Sequence, residues 1–383
     1  MNGGGIPREE FERRQEEARA RARALRVDAL LVVGRAFYDR PGNLAYLANY
    51  FPPEPTMVFG DDVRGAGHGV LLLPLRGAPI LFTAGAVPPE VTVDDVRPSG
   101  NLGREIVAAL EERRLTSARI GVVGADIMPL ALYLDLRNGV PAVDWVCVDH
   151  ALDELRRVKS PAEQDLLRRA AALADKAHIA ALAQVRAGAT ESDVCAAGTA
   201  AALAAGADFV RYFRVHAGAD SALPFRWPQA RPVPLKPGDM VALDVIGAFQ
   251  GYGFDVLRTT VVGMPTPEQA RVLDAVLDAL VAALEMVRAG VTVDAVVRAA
   301  LQRLEDAGYG QHARPFLGHG IGLETVELPY LVPGEETRLR AGEVLCIEPG
   351  VSIPGWGGAC IENQIVVTED GYELLDQTPR RQW

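Results

Sequence analysis

The sequence predicts an α+β fold with an internal pseudo-twofold repeat, preceded by a smaller α/β domain. Three observations carry this. Short branched apolar runs alternate with helical periodicity over roughly the first 150 residues, VRAGAT at 185–190 recurs as VRAGVT at 287–292, and LKPGDMVALD at 235–244 is matched by LRAGEVLCIE at 339–348. Two matched segments in the same order at nearly the same separation point to a duplicated half-domain of helices followed by strands.

The elements follow in order. MNGGGIPREE reads as a flexible start without the apolar stretch of a secretion signal. FERRQEEARARARALR alternates Arg with Glu, the pattern of a solvated helix face. DALLVV (28–33), VLLLP (70–74) and PILFT (79–83) are buried-strand runs, EIVAALEERRL is an amphipathic helix, and IGVVG is another strand. Ser160–Pro161 then opens a long helical stretch, Ser suiting the cap and Pro the first turn. The domain boundary is expected just before it, giving an N-terminal domain at 1–155 and a C-terminal one at 156–383. Within the repeat, Gly188 and Gly290 are expected as helix stops, and Thr190 and Thr292 as N-caps.

Composition excludes several classes. A formal net charge of -11 makes the chain a poor binder of nucleic-acid phosphates. No run approaches the ~20 apolar residues that span a bilayer. Cys147, Cys195, Cys346 and Cys360 form no CxxC pair and stand in apolar or alanine-rich contexts, so buried free thiols and a cytoplasmic location are expected.

The run VALDVIGAFQGYGFDVLRTT places Asp244 and Asp255 in an apolar, glycine-punctuated hairpin, symmetric about the Phe249–Gln250 bond. In that register the two carboxylates are directly opposed, with Cβ atoms ~4.5–5.5 Å apart, which destabilises the pair unless a cation or a shared proton intervenes. Glu348 and Glu362 flank ProGlyTrpGlyGly symmetrically about Gly355, and pseudo-symmetry points all four acids at one place. His319, between glycines in FLGHGIGL, is the histidine best placed to join them; His68 also has glycine neighbours but no acidic partner pattern, and His150, His178 and His312 read as structural or surface residues. Four carboxylates and an imidazole make an oxygen-rich set suited to Mn²⁺, Co²⁺, Fe²⁺ or Zn²⁺. Two such ions ~3.5–4 Å apart hold a bridging water, lower its pKa and polarise a carbonyl, which is chemistry for hydrolysing an amide or similar C–N bond.

DVIGAFQGYGFDVLRT, GHGIGLE, IEPG and GGACIEN together resemble the pita-bread metallopeptidases, a family that includes prolidase, aminopeptidase P, methionine aminopeptidase and the non-peptidase creatinase. SPAEQDLLRRAAALAD after an N-terminal domain is similar to the prolidase, aminopeptidase P and creatinase branch. The resemblance implies a pita-bread C-terminal domain, a creatinase-like N-terminal domain, a homodimer, and two divalent ions on Asp244, Asp255, His319, Glu348 and Glu362. It implies that Glu348 also manages the proton of the attacking water, and that Arg258 and Thr259, the family's RT pair, orient ligands. The chain departs from the family at two histidines that position substrate: Phe225 stands in SALPFRWP and Val326 in GLETVELP. Phe225, Trp227 and Val326 are expected to line a more apolar pocket, with His216 and Arg226 as candidate replacement groups on a loop over the site. Three readings follow: an Xaa-Pro peptidase with an altered pocket, a hydrolase or lyase of a small non-peptide metabolite, and a non-catalytic binding protein. The substrate is thus a small peptide or small molecule.

Overall fold

The computed structural model describes residues 5–55 and 66–383. The chain divides into two compact units, Met1–Arg156 and Arg157–Trp383.

The first unit runs α1 (Arg8–Ala24), β1 (Ala29–Arg35), α2 (Gly42–Ala48), β2 (His68–Pro74), β3 (Ile80–Thr83), β4 (Asp95–Pro98), α3 (Leu102–Glu112), β5 (Arg119–Val123), α4 (Leu130–Gly139) and β6 (Asp144–Cys147). Among the described residues its sheet has six strands, in the order β4-β3-β2-β1-β5-β6. The central strands are the apolar runs read from the sequence, and Leu31, Val33, Val70 and Leu72 pack with Ile106 and Leu110 of α3 and Leu132 and Leu136 of α4. Short edge strands carry little pattern, which is why β4 and β6 escaped the sequence reading.

Three expectations are corrected here. Cys147 ends edge strand β6 and is exposed, and Cys195 is only half-buried, so just Cys346 and Cys360 are buried thiols. α1 is not a solvated face: Phe11, Arg14, Ala18 and Ala22 are buried on one side, and the Arg14 guanidinium stacks over the Phe11 and Tyr46 rings. Long arginine stems cover apolar surface while their heads find carbonyls, so charge alternation alone misjudges such a helix. Residues 1–4 of the expected flexible start lie outside the described residues, and Arg8 already opens α1.

After the short helix α5 (Asp153–Arg157), the second unit carries α6 (Pro161–Leu182), α7 (Glu191–Ala204), β7 (Phe209–Ala217), β8 (Met240–Phe249) and β9 (Tyr252–Val261). Then come α8 (Pro267–Met286), α9 (Val293–Asp306), β10 (Gly318–Gly320), β11 (Glu327–Tyr330), β12 (Val344–Ile347), β13 (Gly350–Ile353), β14 (Gly357–Cys360), β15 (Asn363–Val367) and β16 (Tyr372–Leu374). The repeat is physical. Ser160 and Thr266 each close a capping box ahead of a first-turn proline, and Thr190 and Thr292 cap the second helix of each half. Gly188 N–H donates to Leu235 O at 3.0 Å, and Gly290 N–H to Leu339 O at 2.8 Å. These glycines are not the helix stops expected of them: α6 already ends at Leu182 and α8 at Met286. Both have φ of +85° and turn the chain ahead of the threonine caps.

Helices α6 and α7 cover β7-β8-β9, packing Ala174, Ala177 and Val194 on Phe213 and Val245. Helices α8 and α9 cover β11-β10-β12-β15-β16, packing Val272, Val276 and Val297 on Leu345 and Ile365.

Candidate metal centre

The first hairpin turns one residue later than its acids suggested. Phe249 pairs with Tyr252, leaving Gln250–Gly251 as a two-residue turn with both residues at positive φ. Asp244 therefore opposes Leu257, and Asp255 opposes Ile246. The aspartates are diagonal neighbours on one face rather than a directly opposed pair. This relieves the sharpest like-charge contact while keeping both carboxylates on one side. In the second hairpin β12 pairs β15 and β13 pairs β14 in one continuous register about Gly355, with Glu348 and Glu362 in the gap between the two ladders.

The groups converge from both halves. Carboxylate oxygens of Asp244, Asp255 and Glu362 lie within 4.8 Å of one another, as do the donor atoms of His319, Cys346 and Glu362. His319 Nε2 is 3.7 Å from both Asp255 Oδ2 and Glu348 Oε1. Its Nδ1 pairs with Gly320 O at 2.9 Å, a bond that places the proton on Nδ1 and leaves the Nε2 lone pair facing the acids. Asp244, Asp255, His319 and Glu362 are all buried. Glu362 Oε1 is buried without a hydrogen-bond partner. An unpartnered carboxylate oxygen among other acids is costly unless a cation takes it, so the donor set fits divalent metal ions.

Electrostatics agree with geometry. Burial first, then Glu362, Asp244 and Glu348, holds the Asp255 carboxyl well above its usual range. Burial, then Glu348 and Asp244, does the same to Glu362. Glu348 is pushed up to about 7 by burial and Asp244, against the pull of Arg314 and Arg214. Burial lowers His319 and keeps its imidazole neutral. A carboxyl raised from 4.5 to about 7 binds an extra proton in the folded state between those values. The metal-free protein therefore loses stability as pH rises through that window, and the full penalty stands above it. In chelator, Glu348→Gln is expected to melt several degrees above the unsubstituted protein at pH 8 and level with it at pH 4. A pH-independent difference in scanning calorimetry would contradict this.

Arg214 was missed by the sequence reading. It lies on β7 directly opposite Asp244, and its Nη1 donates to Asp244 Oδ2 at 2.5 Å. The guanidinium lies 4.9 Å from the centroids of both the Tyr212 and Phe225 rings. A cation thus stands against Phe225, the residue that departs from the family pattern. The alternation RYFRVHA was its signal, because an inward arginine two residues before His216 fits a strand. His216 is accordingly on a strand, not on a loop over the site. It shares a face with Arg214, its Nδ1 pairs with Leu223 O at 2.9 Å, and its Nε2 is buried without a partner. Arg226 turns away to Glu191 and Asp220 at 2.6 and 2.9 Å and ties its own loop down, so its donors are spent on structure. Phe225 and Trp227 are 75% and 86% exposed, too open for walls of a closed pocket among the described residues, and Val326 is 47% exposed. Arg258 and Thr259 grip the backbone beside Glu362 rather than the candidate metal-binding carboxylates, and Arg258 Nη2 also pairs with Asp376 Oδ2 at 2.6 Å. Arg258 Nη1 donates to Glu362 O, and Thr259 Oγ1 both donates to Cys360 O at 2.9 Å and accepts from Cys360 N at 3.0 Å.

A duplicated helix-and-strand unit with buried acids converging on a neutral imidazole defines a metal-dependent hydrolase. The chain belongs to metallopeptidase family M24, whose model matches residues 165–369, and residues 14–158 match the creatinase/prolidase N-terminal domain. It is 31% identical to the Xaa-Pro dipeptidase of Pyrococcus horikoshii over 312 residues, 80% of this chain and 88% of that protein. It is 35% identical to the probable dipeptidase PepE of Mycobacterium tuberculosis over 266 residues, 69% of this chain and 70% of that one. Among solved structures, dipeptidase PepE of Mycobacterium ulcerans superposes with a TM-score of 0.82 at 30% identity, covering 99% of both chains. The prolidase of P. horikoshii superposes with a TM-score of 0.83 at 26% identity, covering 97% of this chain and all of that one. The pita-bread architecture follows, and the family implies divalent metal ions. No helix among the described residues is long and apolar enough to cross a membrane.

Proposed function

We propose that this chain is a dinuclear hydrolase acting on an amide bond of a small peptide, of the Xaa-Pro type, with Asp244, Asp255, His319, Glu348 and Glu362 holding two ions drawn from Mn²⁺, Co²⁺, Fe²⁺ and Zn²⁺. The observation that carries it is the convergence of Asp244, Asp255 and Glu362 oxygens within 4.8 Å, with His319 Nε2 turned toward the acids. Bound ions would supply Lewis-acid polarisation of the scissile carbonyl and acidification of a water. Glu348, whose Oε1 lies 3.7 Å from His319 Nε2 at the centre, would take the proton of that water. Arg258 and Thr259 fix the backbone that carries Glu362. The domain limits 1–155 and 156–383, a homodimer and a cytoplasmic location belong to the same reading, and light scattering tests the dimer.

A second reading, a small non-peptide amide or related metabolite, is favoured by Phe225 standing where the family has a histidine and by the Arg214 cation beside it. The test is a panel of Xaa-Pro dipeptides, tripeptides and small amides, with protein loaded in turn with Mn²⁺, Co²⁺ and Zn²⁺. Cleavage of Xaa-Pro bonds supports the first reading. Turnover of small amides alone supports the second, and two bound ions with no turnover on either group overturns both. On whichever substrate is cleaved, Arg214→Leu is expected to lower kcat about 10²-fold, because a preorganised cation beside the reacting centre is lost. An unchanged kcat in steady-state kinetics would remove Arg214 from the machinery.

A further inference from the structure

Among the described residues, Cys346 is the one thiol grouped with the donor atoms of the carboxylate cluster. It sits on β12 between His319 of β10 and Gln364 of β15, directly opposed to both. Opposed residues share a face, so the strand register itself sets the sulfur beside the imidazole. Glu362 lies two residues from Gln364 along the other chain of the ladder, on the same side. Cys346 Sγ, a nitrogen of His319 and a carboxylate oxygen of Glu362 lie within 4.8 Å of one another, all buried. The second observation is the buried, unpartnered Glu362 Oε1. The repeat sharpens the point: Ala242 is the counterpart of Cys346 in the first half, so the sulfur donor is confined to one side of the pseudo-symmetric centre. Both buried thiols approach a backbone carbonyl, Cys346 Sγ that of Asp255 at 3.7 Å and Cys360 Sγ that of Glu348 at 3.4 Å, but among the described residues only Cys346 falls within a cluster of donor atoms.

We propose that the Cys346 thiol is a metal donor in this centre, forming with His319 and Glu362 a sulfur, nitrogen and oxygen face that selects zinc or cobalt over manganese. The proposal rests on the reading that the acids bind divalent ions. Thiolate is a soft ligand, and imidazole beside it suits zinc and cobalt, whereas manganese prefers a hard, all-oxygen set. On binding, the S–H bond breaks, an Sγ–metal bond forms and the proton passes to solvent; no electron is transferred.

The experiment loads the whole chain with Co²⁺ under reducing conditions and records its absorption spectrum. Visible d–d bands report cobalt in the centre, and a near-ultraviolet thiolate-to-cobalt charge-transfer band reports the sulfur bond. The band is expected in the unsubstituted protein and in Cys360→Ser, and lost in Cys346→Ser while the visible bands persist. Zn²⁺ affinity is expected to fall at least about 10-fold in Cys346→Ser, with Mn²⁺ affinity within about twofold of unsubstituted protein. Visible bands without the near-ultraviolet band, or a band that survives in Cys346→Ser, would overturn the donor assignment and leave the metal centre standing. No visible bands at all would overturn the centre itself and the donor with it. X-ray absorption of the unsubstituted zinc-loaded chain needs no variant: a sulfur at about 2.3 Å is expected, and a shell of nitrogen and oxygen alone refutes the proposal.

Discussion

Asp255→Asn is expected to abolish hydrolysis, by on the order of 10³-fold or more, while raising the melting temperature of the metal-free protein. The two effects come from one cause. Asp255 is 5% exposed and shares its space with Asp244, Glu348 and Glu362. Without ions these carboxylates repel or must bind protons, so the folded state carries a penalty that a neutral amide relieves. With ions the sign reverses, because the same carboxylate becomes a ligand. Saturating metal at about 1,000 times its Kd stabilises a folded protein by about 4 kcal/mol. Most of that increment should vanish in the variant. Calorimetry with and without metal, run beside the activity assay, separates this from simple misfolding. A misfolded variant would melt lower in both conditions, whereas a lost ligand melts higher without metal and gains little with it. Turnover surviving in Asp255→Asn would sink the ligand role.

Much of this centre was legible in the sequence, for a physical reason. Acids inside an apolar, glycine-marked hairpin break the pattern of a buried strand, and a break repeated about a hundred residues later is too costly to be idle. The register of the first hairpin was not legible. Symmetric placement of Asp244 and Asp255 argued for direct opposition, but Gln250–Gly251 forms a two-residue turn and slides the pair to a diagonal. Turn geometry overrides symmetry of the flanks because it fixes which backbone groups can pair first. The second hairpin obeyed its symmetry because its ladders run on either side of the Glu348 and Glu362 gap without a slip. Arg214 and Cys346 stayed hidden for another reason. One arginine in a half-buried strand and one cysteine in an apolar strand are each ordinary, and only the pairing of Arg214 with Asp244 and of Cys346 with His319 across strands gives them meaning. Arg226 erred the other way: adjacency to Phe225 in sequence suggested the site, while Glu191 and Asp220 had already claimed its donors.

Arg258→Met is expected to cost about 3–5 kcal/mol of stability, the largest structural effect of a single change near this centre. Arg258 and Asp376 are both fully buried and pair at 2.6 Å. The guanidinium also donates to Thr378 O at 2.6 Å, Leu257 O at 3.0 Å, Pro379 O at 3.1 Å and Glu362 O, so one side chain fastens the end of the chain to the strand that carries a ligand. Burial pushes the Asp376 carboxyl up, and Arg258 is what pulls it back toward ionisation. Removing the cation leaves a buried acid that must either stay charged without a partner or take a proton and weaken the bonds it accepts from Asn363 Nδ2 and Gln364 N, both at 2.8 Å. For a unit of this size the loss corresponds to a fall of about 10 °C or more in melting temperature. Removing both charges removes the unpaired state, so Arg258→Met with Asp376→Leu is expected to recover part of the stability lost in the single variant. Activity should not recover with it, because the Glu362 carbonyl still lacks its donor and the ligand it positions is loosened, a defect worth about 10–100-fold in metal affinity. A single variant melting within about 2 °C of the unsubstituted protein, or a double variant less stable than the single one, would show that the pair does not hold this segment.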